Sequence, residues 1–427
     1  MEKYHKMKEV IALGASLLVG LFCWAQGEIV IPDNAIYQES IRTIVPHHVG
    51  NELSPPFFEL GVGGMTVRFD DLGQDFRDLY YTVYLCSSDW EFSELDQSEY
   101  INGFSENYIN QYEQSFNTFV DFSHYVIDFP NDMSSVNRSG NYVLVVYEDG
   151  DAESALFSCR FVVYENLVLV DGKVNVPTEV SQRSYGQEVD FKIKHPSYDI
   201  RNPYSDFQVS ILQNNRWDNA IADLEPRFVK DRELDYDYGK ENNFEGGNEW
   251  RGFDLKQVDF ITPQIARTEL VGRQWNCWLK PDPKRAYLQY KTIGDINGRY
   301  LVKNDDGFDR HLEADYVLVH FTLPFDFPLA NSKIYVYGAL SNWGFDPAYE
   351  LHYDYDRKEY RASIMLKQGY YNYTYRVVAE EDYFTTSKDV EGTHFVTEND
   401  YTIFAYNYDY AGDYDRVVGV LFLNSRD

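Results

Sequence analysis

Carboxylates are the commonest reactive groups in this 427-residue chain, 69 of them against 38 lysines and arginines. Two carboxylates facing one another could hydrolyse a glycoside, and Asp70 with Asp71, or Glu249 with Asp254, are the candidate pairs. With acids so abundant such pairs arise by chance, so no catalytic residue is assigned. The turns Asp295-Ile296-Asn297-Gly298 and Asp305-Asp306-Gly307-Phe308-Asp309 echo calcium loops. Neither has the D-x-[DN]-x-[DN]-G spacing with a glutamate six residues on, and both read as polar hairpin tips. His47 and His48 are adjacent and would point to opposite faces of a strand, which argues against a shared metal. There is no G-x-S-x-G elbow, no phosphate-binding loop and no H-E-x-x-H. The expectation is a protein without enzymatic activity, metal or cofactor.

Other residues are suited to contact rather than reaction. Arg216-Trp217-Asp218 and Asn248-Glu249-Trp250-Arg251 each set an arginine beside an indole and a carboxylate, allowing cation–π stacking and an ion pair together. Trp90 stands at a strand exit after Ser87-Ser88-Asp89, and Trp343 ends the run Gly338–Trp343. Arg and Trp are enriched in interface hot spots. Trp90, Arg216, Trp217, Trp250, Arg251 and Trp343 are therefore the candidate partner-binding residues, with a clamp between strands as the open alternative. Four cysteines are present, Cys23, Cys86, Cys159 and Cys277. Cys86 and Cys159 sit in apolar strand runs, and a disulfide between them or two free thiols are both open.

The elements that must hold these residues are strands. Tyrosine and phenylalanine number 37 and 28, residue types that favour half-buried pleated surfaces. Apolar runs at Met65–Phe69 and Tyr80–Cys86, joined by a polar turn at Asp70–Gly73, predict a hairpin whose second strand is covered on both faces. Further strands are predicted at Thr118–Phe129, Asn141–Tyr147 and Ala155–Tyr164, with a loop and a helical turn over 96–112. Asn166–Val176 predicts a hairpin turning at Asp171-Gly172, and 233–247 a surface loop. Strands at Val189–Lys194, Phe207–Leu212, Glu269–Leu279, Ala286–Lys291, Arg299–Lys303, Tyr316–Leu323, Lys333–Tyr337, Tyr360–Met365, Tyr370–Val378 and Val417–Leu423 follow. The first unit has no window of helical periodicity, and Asn214–Arg227, with Trp217, Ile221 and Leu224, reads as a weak helical or edge segment. The fold class expected is all-β, a series of antiparallel β-sandwich domains: 26–165, 166–312 and 313–427.

Residues 1–25 carry Lys3, Lys6 and Lys8 before the apolar run Val10–Phe22 and then Cys23-Trp24-Ala25, the layout of a secretory signal peptide too short to span a bilayer well. Lipidation at Cys23 is the rival reading, disfavoured by the bulky Phe22. The net charge of -31 becomes -32 without these residues, and it repels nucleic acid and anionic lipid. A mean hydropathy of -0.48 excludes a polytopic membrane protein.

One set of landmarks recurs in order from about residue 50 to about 376. It comprises Phe69-Asp70-Asp71-Leu72, Tyr80–Trp90, Tyr100–Phe104, Asn117-Thr118, Phe129-Pro130-Asn131, Ser139–Tyr142, Gln213–Asp218, Gly246–Glu249 and Leu366–Tyr373. Their order and spacing resemble the plug proteins of the bacterial type IX secretion system. The third unit, with strand, Gly338–Trp343, strand, Gly369-Tyr370-Tyr371, strand, is similar to early-set Ig-like modules that include glycogen-binding domains. The first resemblance implies a periplasmic subunit that closes the periplasmic opening of an outer-membrane translocon barrel by bulk. It would be monomeric within that complex and retained by its protein partner, with no nucleic-acid partner and no insertion into the bilayer. The second implies an alternative, a periplasmic or surface carbohydrate-binding protein stacking sugar on Trp343.

Overall fold

The computed structural model describes residues 30–73, 76–148, 154–222, 224–381 and 385–427. The expected signal peptide, with Cys23, lies outside the described residues. The chain is all-β, and its described α-helices are single turns at Gln97–Tyr100 and Lys388–Glu391. No helix among the described residues is long and apolar enough to cross a membrane.

The first unit is a sandwich. One sheet orders Ile41–His48, Met65–Asp71, Ser123–Phe129 and Gln111–Gln114. The other runs Ala35–Ile36, Ala155–Tyr164, Gly140–Glu148, Leu79–Cys86 and Asn107–Tyr108, with Phe57–Glu59 parallel to Ala155–Tyr164. Met65, Val67 and Phe69 from the first sheet meet Tyr81, Val83 and Leu85 from the second in one core. The predicted hairpin therefore does not form. Its two strands are present, but each pairs with other partners and they face each other across the sandwich, since both carry apolar residues that one sheet could not bury on a single face. Leu79–Cys86 is central and buried on both sides. Cys159 lies in this core and Cys86 on the outer face of the same sheet. Opposite faces forbid the disulfide, both thiols are free, and burial pushes each pKa up to about 12.

The second unit is discontinuous. Leu169–Asn175, Gly186–Lys194, Glu233–Asp235, Phe228–Lys230 and Asn243–Glu245 make one sheet. The facing sheet is Phe207–Gln213 with Asp400–Asp409 and Tyr414–Asn424 from the end of the chain. Val189, Phe191, Ile193, Ile211 and Ile403 share its core. Leu169–Asn175 is one strand, with Asp171 and Gly172 paired to Lys192 and Phe191 rather than turning. The expected surface loop at 233–247 instead contributes strands and buries Leu234, Tyr236 and Phe244.

The third unit is inserted in the second. A ten-stranded sheet collects strands from Arg251–Asp254 through Thr385–Thr386, with Gly369–Ala379 pairing both Arg251–Asp254 and Ser332–Tyr337. Its core joins Phe253, Val319, Phe321, Val336, Ile364 and Tyr371. Strand pairing thus crosses the 312/313 boundary expected from sequence, which followed an acidic turn rather than a break in hydrogen bonding. Ile265–Val271 and Gln274–Leu279 form a hairpin where one strand was expected, and 286–291 is not a strand.

Candidate functional site

The three units meet around a cavity of about 290 Å³. Pro55–Phe57 and Arg160 line it from the first unit, Asn214–Asn215 and Trp217-Asp218 from the second, and Arg299, Tyr300 and Trp343 from the third. Beside it the outer face of the first unit packs on the second through an apolar layer that includes Val143, Val145, Leu212, Phe404 and Tyr406.

Five of the six residues singled out in the sequence converge here. Trp90 is buried, its ring 4.8 Å from Trp217 edge-on and 4.3 Å beneath the Arg160 guanidinium. Trp217 stacks on Phe404 at 6.0 Å. Arg216 is 3% exposed and forks onto Asp218, with Nε–Oδ1 and Nη2–Oδ2 distances of 2.9 and 2.7 Å. The same guanidinium lies over Tyr337 and Trp343, and Trp343 meets Trp250 edge-on at 5.8 Å. Arg251 belongs to a separate cluster, donating to Glu391 at 2.9 Å and to Asp282 at 2.9 Å. Trp343 is half-buried with its ring committed to these neighbours, not a flat platform on an exposed face.

The proposed acid pairs separate. Asp70 and Asp71 are consecutive on a strand and point to opposite faces. Asp71 takes Arg77 at 3.1 Å, and Asp70 reaches across to the third unit. Its Oδ2 accepts from Lys367 Nζ and Tyr316 Oη of the third unit, both at 2.6 Å, and its Oδ1 contacts His124 Nδ1 at 2.6 Å. Lys367 is 1% exposed, with Phe122 beneath its ammonium at 3.9 Å. Burial alone would push the Asp70 carboxyl up, but Lys367 and His124 outweigh it and hold the pKa below the usual carboxylate range. Glu249 accepts from Tyr290 and Arg426, whereas Asp254 pairs with Lys256, so these two acids have different surroundings. Asp295 accepts from the Trp250 and Asn297 amides, and burial raises its pKa to about 6, with Glu249 and Glu398 adding to the rise. In the second acidic turn Asp305 pairs with Lys303 at 2.6 Å and Asp309 caps the His311 and Leu312 amides.

Sequence reasoning missed Lys367 and Arg299. Lys367 shares the alternating phase of Glu359, Arg361 and Ser363, which reads as a solvent face. Its burial comes from another unit and carries no local signal.

A sequence model described as type 9 secretion system plug protein 1st domain matches residues 41–165, the extent of the first sandwich. The crystal structure of a hypothetical protein from Parabacteroides merdae is similar over nearly the whole chain, at 30% identity and a TM-score of 0.89. That match covers 93% of this chain and all of the other. No curated protein matches.

Proposed function

The chain belongs to the type 9 secretion system plug protein family, and from that premise we propose that it closes the periplasmic opening of the outer-membrane translocon barrel. A barrel wide enough to pass folded cargo has an aqueous lumen that leaks unless something occupies it. The observation that carries this reading is the welding of three units into one body. The third unit is threaded into the second, and Asp70–Lys367 ties the first to the third without access to water. The apolar layer around Phe404 ties the first to the second. A stopper needs such a body and no reactive residue. On this reading the protein is periplasmic, monomeric in the complex and held at the outer membrane by its partner.

Stacking of a glycan on Trp343 has weaker support, because that ring already contacts Trp250, Tyr337 and Arg216. The test of the plug is capture of the barrel from solubilised outer membranes by the purified protein, with ion leak through the reconstituted barrel as the readout. Addition of the protein should bring leak down in proportion to occupancy. A barrel equally tight with and without it would end the proposal.

A further inference from the structure

The hydrogen-bonding capacity left unspent in the junction cavity is mostly of one kind. Its carboxylates are already matched: Asp33 by Arg160 at 3.2 Å, Asp218 by Arg216 at 2.7 Å, and Glu52 by Arg310 and by His311 at 3.5 Å. Donors are left over. Arg299 lines the cavity, and its guanidinium has no hydrogen bond or ion pair among the described residues. The opposing charge nearest in effect is Asp400, whose oxygens accept from Asn297 Nδ2 and Asn424 Nδ2 at 2.9 Å each and form no ion pair with Arg299. Burial accordingly holds the Arg299 pKa below its usual value despite Asp400. Asn215 accepts from Thr402 Oγ1 at 2.7 Å and leaves its Nδ2 uncommitted.

The walls are also strained. Asn214, Asn215, Asn342 and Trp343 all line the cavity, with φ of 56°, 58°, 51° and 60°. Asparagine visits this region readily and tryptophan rarely. Backbone strain of this kind persists only where packing over-determines it, and it gathers at ligand clamps.

An unpaired guanidinium in a partly closed cavity costs stability unless something negative meets it. Its donors form a planar fork that fits a carboxylate. Trp217 and Phe57 supply apolar surface for the rest of a ligand. The volume sits at the lower end of small-molecule pockets, roughly 300–1,000 Å³, enough for one ring-sized group and not for a long chain. We propose that the junction cavity is a binding site for a small ring-bearing carboxylate, with its acid group on Arg299 and Asn215 Nδ2 and its ring against Trp217 and Phe57. The carboxylate can belong to a free acid or to the last residue of a peptide. Because all three units contribute walls, the ligand bridges them. This site does not depend on the plug reading.

Calorimetric titration of the purified protein separates the two sources. N-acetyl-phenylalanine is compared with its amide, and glucuronate with glucose. Binding of the first acid but not its amide marks a peptide terminus, and binding of glucuronate but not glucose marks a free acid. Arg299→Gln should weaken whichever acid binds about tenfold or more, the loss expected when a charge-assisted hydrogen bond goes. Asn215→Asp is the second variant, since aspartate tolerates the same backbone and keeps the acceptor for Thr402 while repelling an acid. No heat from either acid at millimolar concentration overturns the proposal, as does unchanged affinity in a folded variant.

Discussion

At Lys367 an ammonium group is shut away from water, with one carboxylate and two aromatic rings for company. Removing one partner of such a pair strands the other charge, at a cost of roughly 3–5 kcal/mol, whereas replacing both by uncharged groups is often close to neutral. Lys367→Met should therefore lower the urea midpoint sharply, and adding Asp70→Asn should restore most of it. Equal loss in the single and double variants would show that the pair is not coupled. Because the folded Asp70 pKa is depressed, its contribution is present above the ordinary value of about 3.9 and fades as pH falls through the lower folded value. Asp295 has the opposite sign. Its folded pKa of about 6 exceeds the unfolded one, so the associated stability is full below about pH 4 and lost as pH rises through about 6. The change is roughly 3 kcal/mol. Urea midpoints measured from pH 4 to 7 should fall over that interval, and Asp295→Asn should flatten the fall. A slope unchanged in the variant would remove Asp295 as its source.

Strands were legible because burial on a sheet writes itself into the residue pattern, as a near-continuous apolar run where both faces are covered and as alternation where one is. Ala155–Tyr164 runs from end to end as its residue pattern predicts, and Tyr316–Pro324 differs from expectation by one residue. Pairing was not legible. Nothing local in Asp400–Asp409 says that it completes a sheet begun by Phe207–Gln213 almost two hundred residues earlier. The junction is likewise assembled from elements far apart in the chain. Trp90, Trp217 and Trp343 could be chosen by residue type, but that they meet depends on three units docking. Gly298 shows how tightly these elements are fitted. It holds φ +80°, and a Cβ there would come within 2.6 Å of the Trp250 ring. Gly298→Ala should cost at least about 2 kcal/mol, from backbone strain and overpacking together. The displaced indole should also shift the tryptophan emission of the folded state. Wild-type stability with unchanged emission would mean that the loop can give way.

Across the whole molecule, acids are in large excess over bases. At the junction Arg160 and Arg216 are matched by Asp33 and Asp218, while the chain as a whole carries a net charge of -31. Acids in that excess cannot all be paired internally, so the surface is strongly negative. A body of this kind is steered toward a basic rim and repelled by its own copies and by anionic headgroups. It would be a stopper that arrives quickly and leaves readily, because attraction between exposed charges is screened over a Debye length of about 10 Å at 0.1 M salt and about 3 Å at 1 M. Apolar docking would behave otherwise, since salt does not weaken burial of hydrocarbon. Capture of the translocon barrel, measured from about 0.05 to about 0.5 M sodium chloride, should therefore weaken steeply and chiefly through slower association. Capture that holds constant across that range would mean an apolar seat, and would move the search for contacts to exposed rings such as Phe308 and Tyr287.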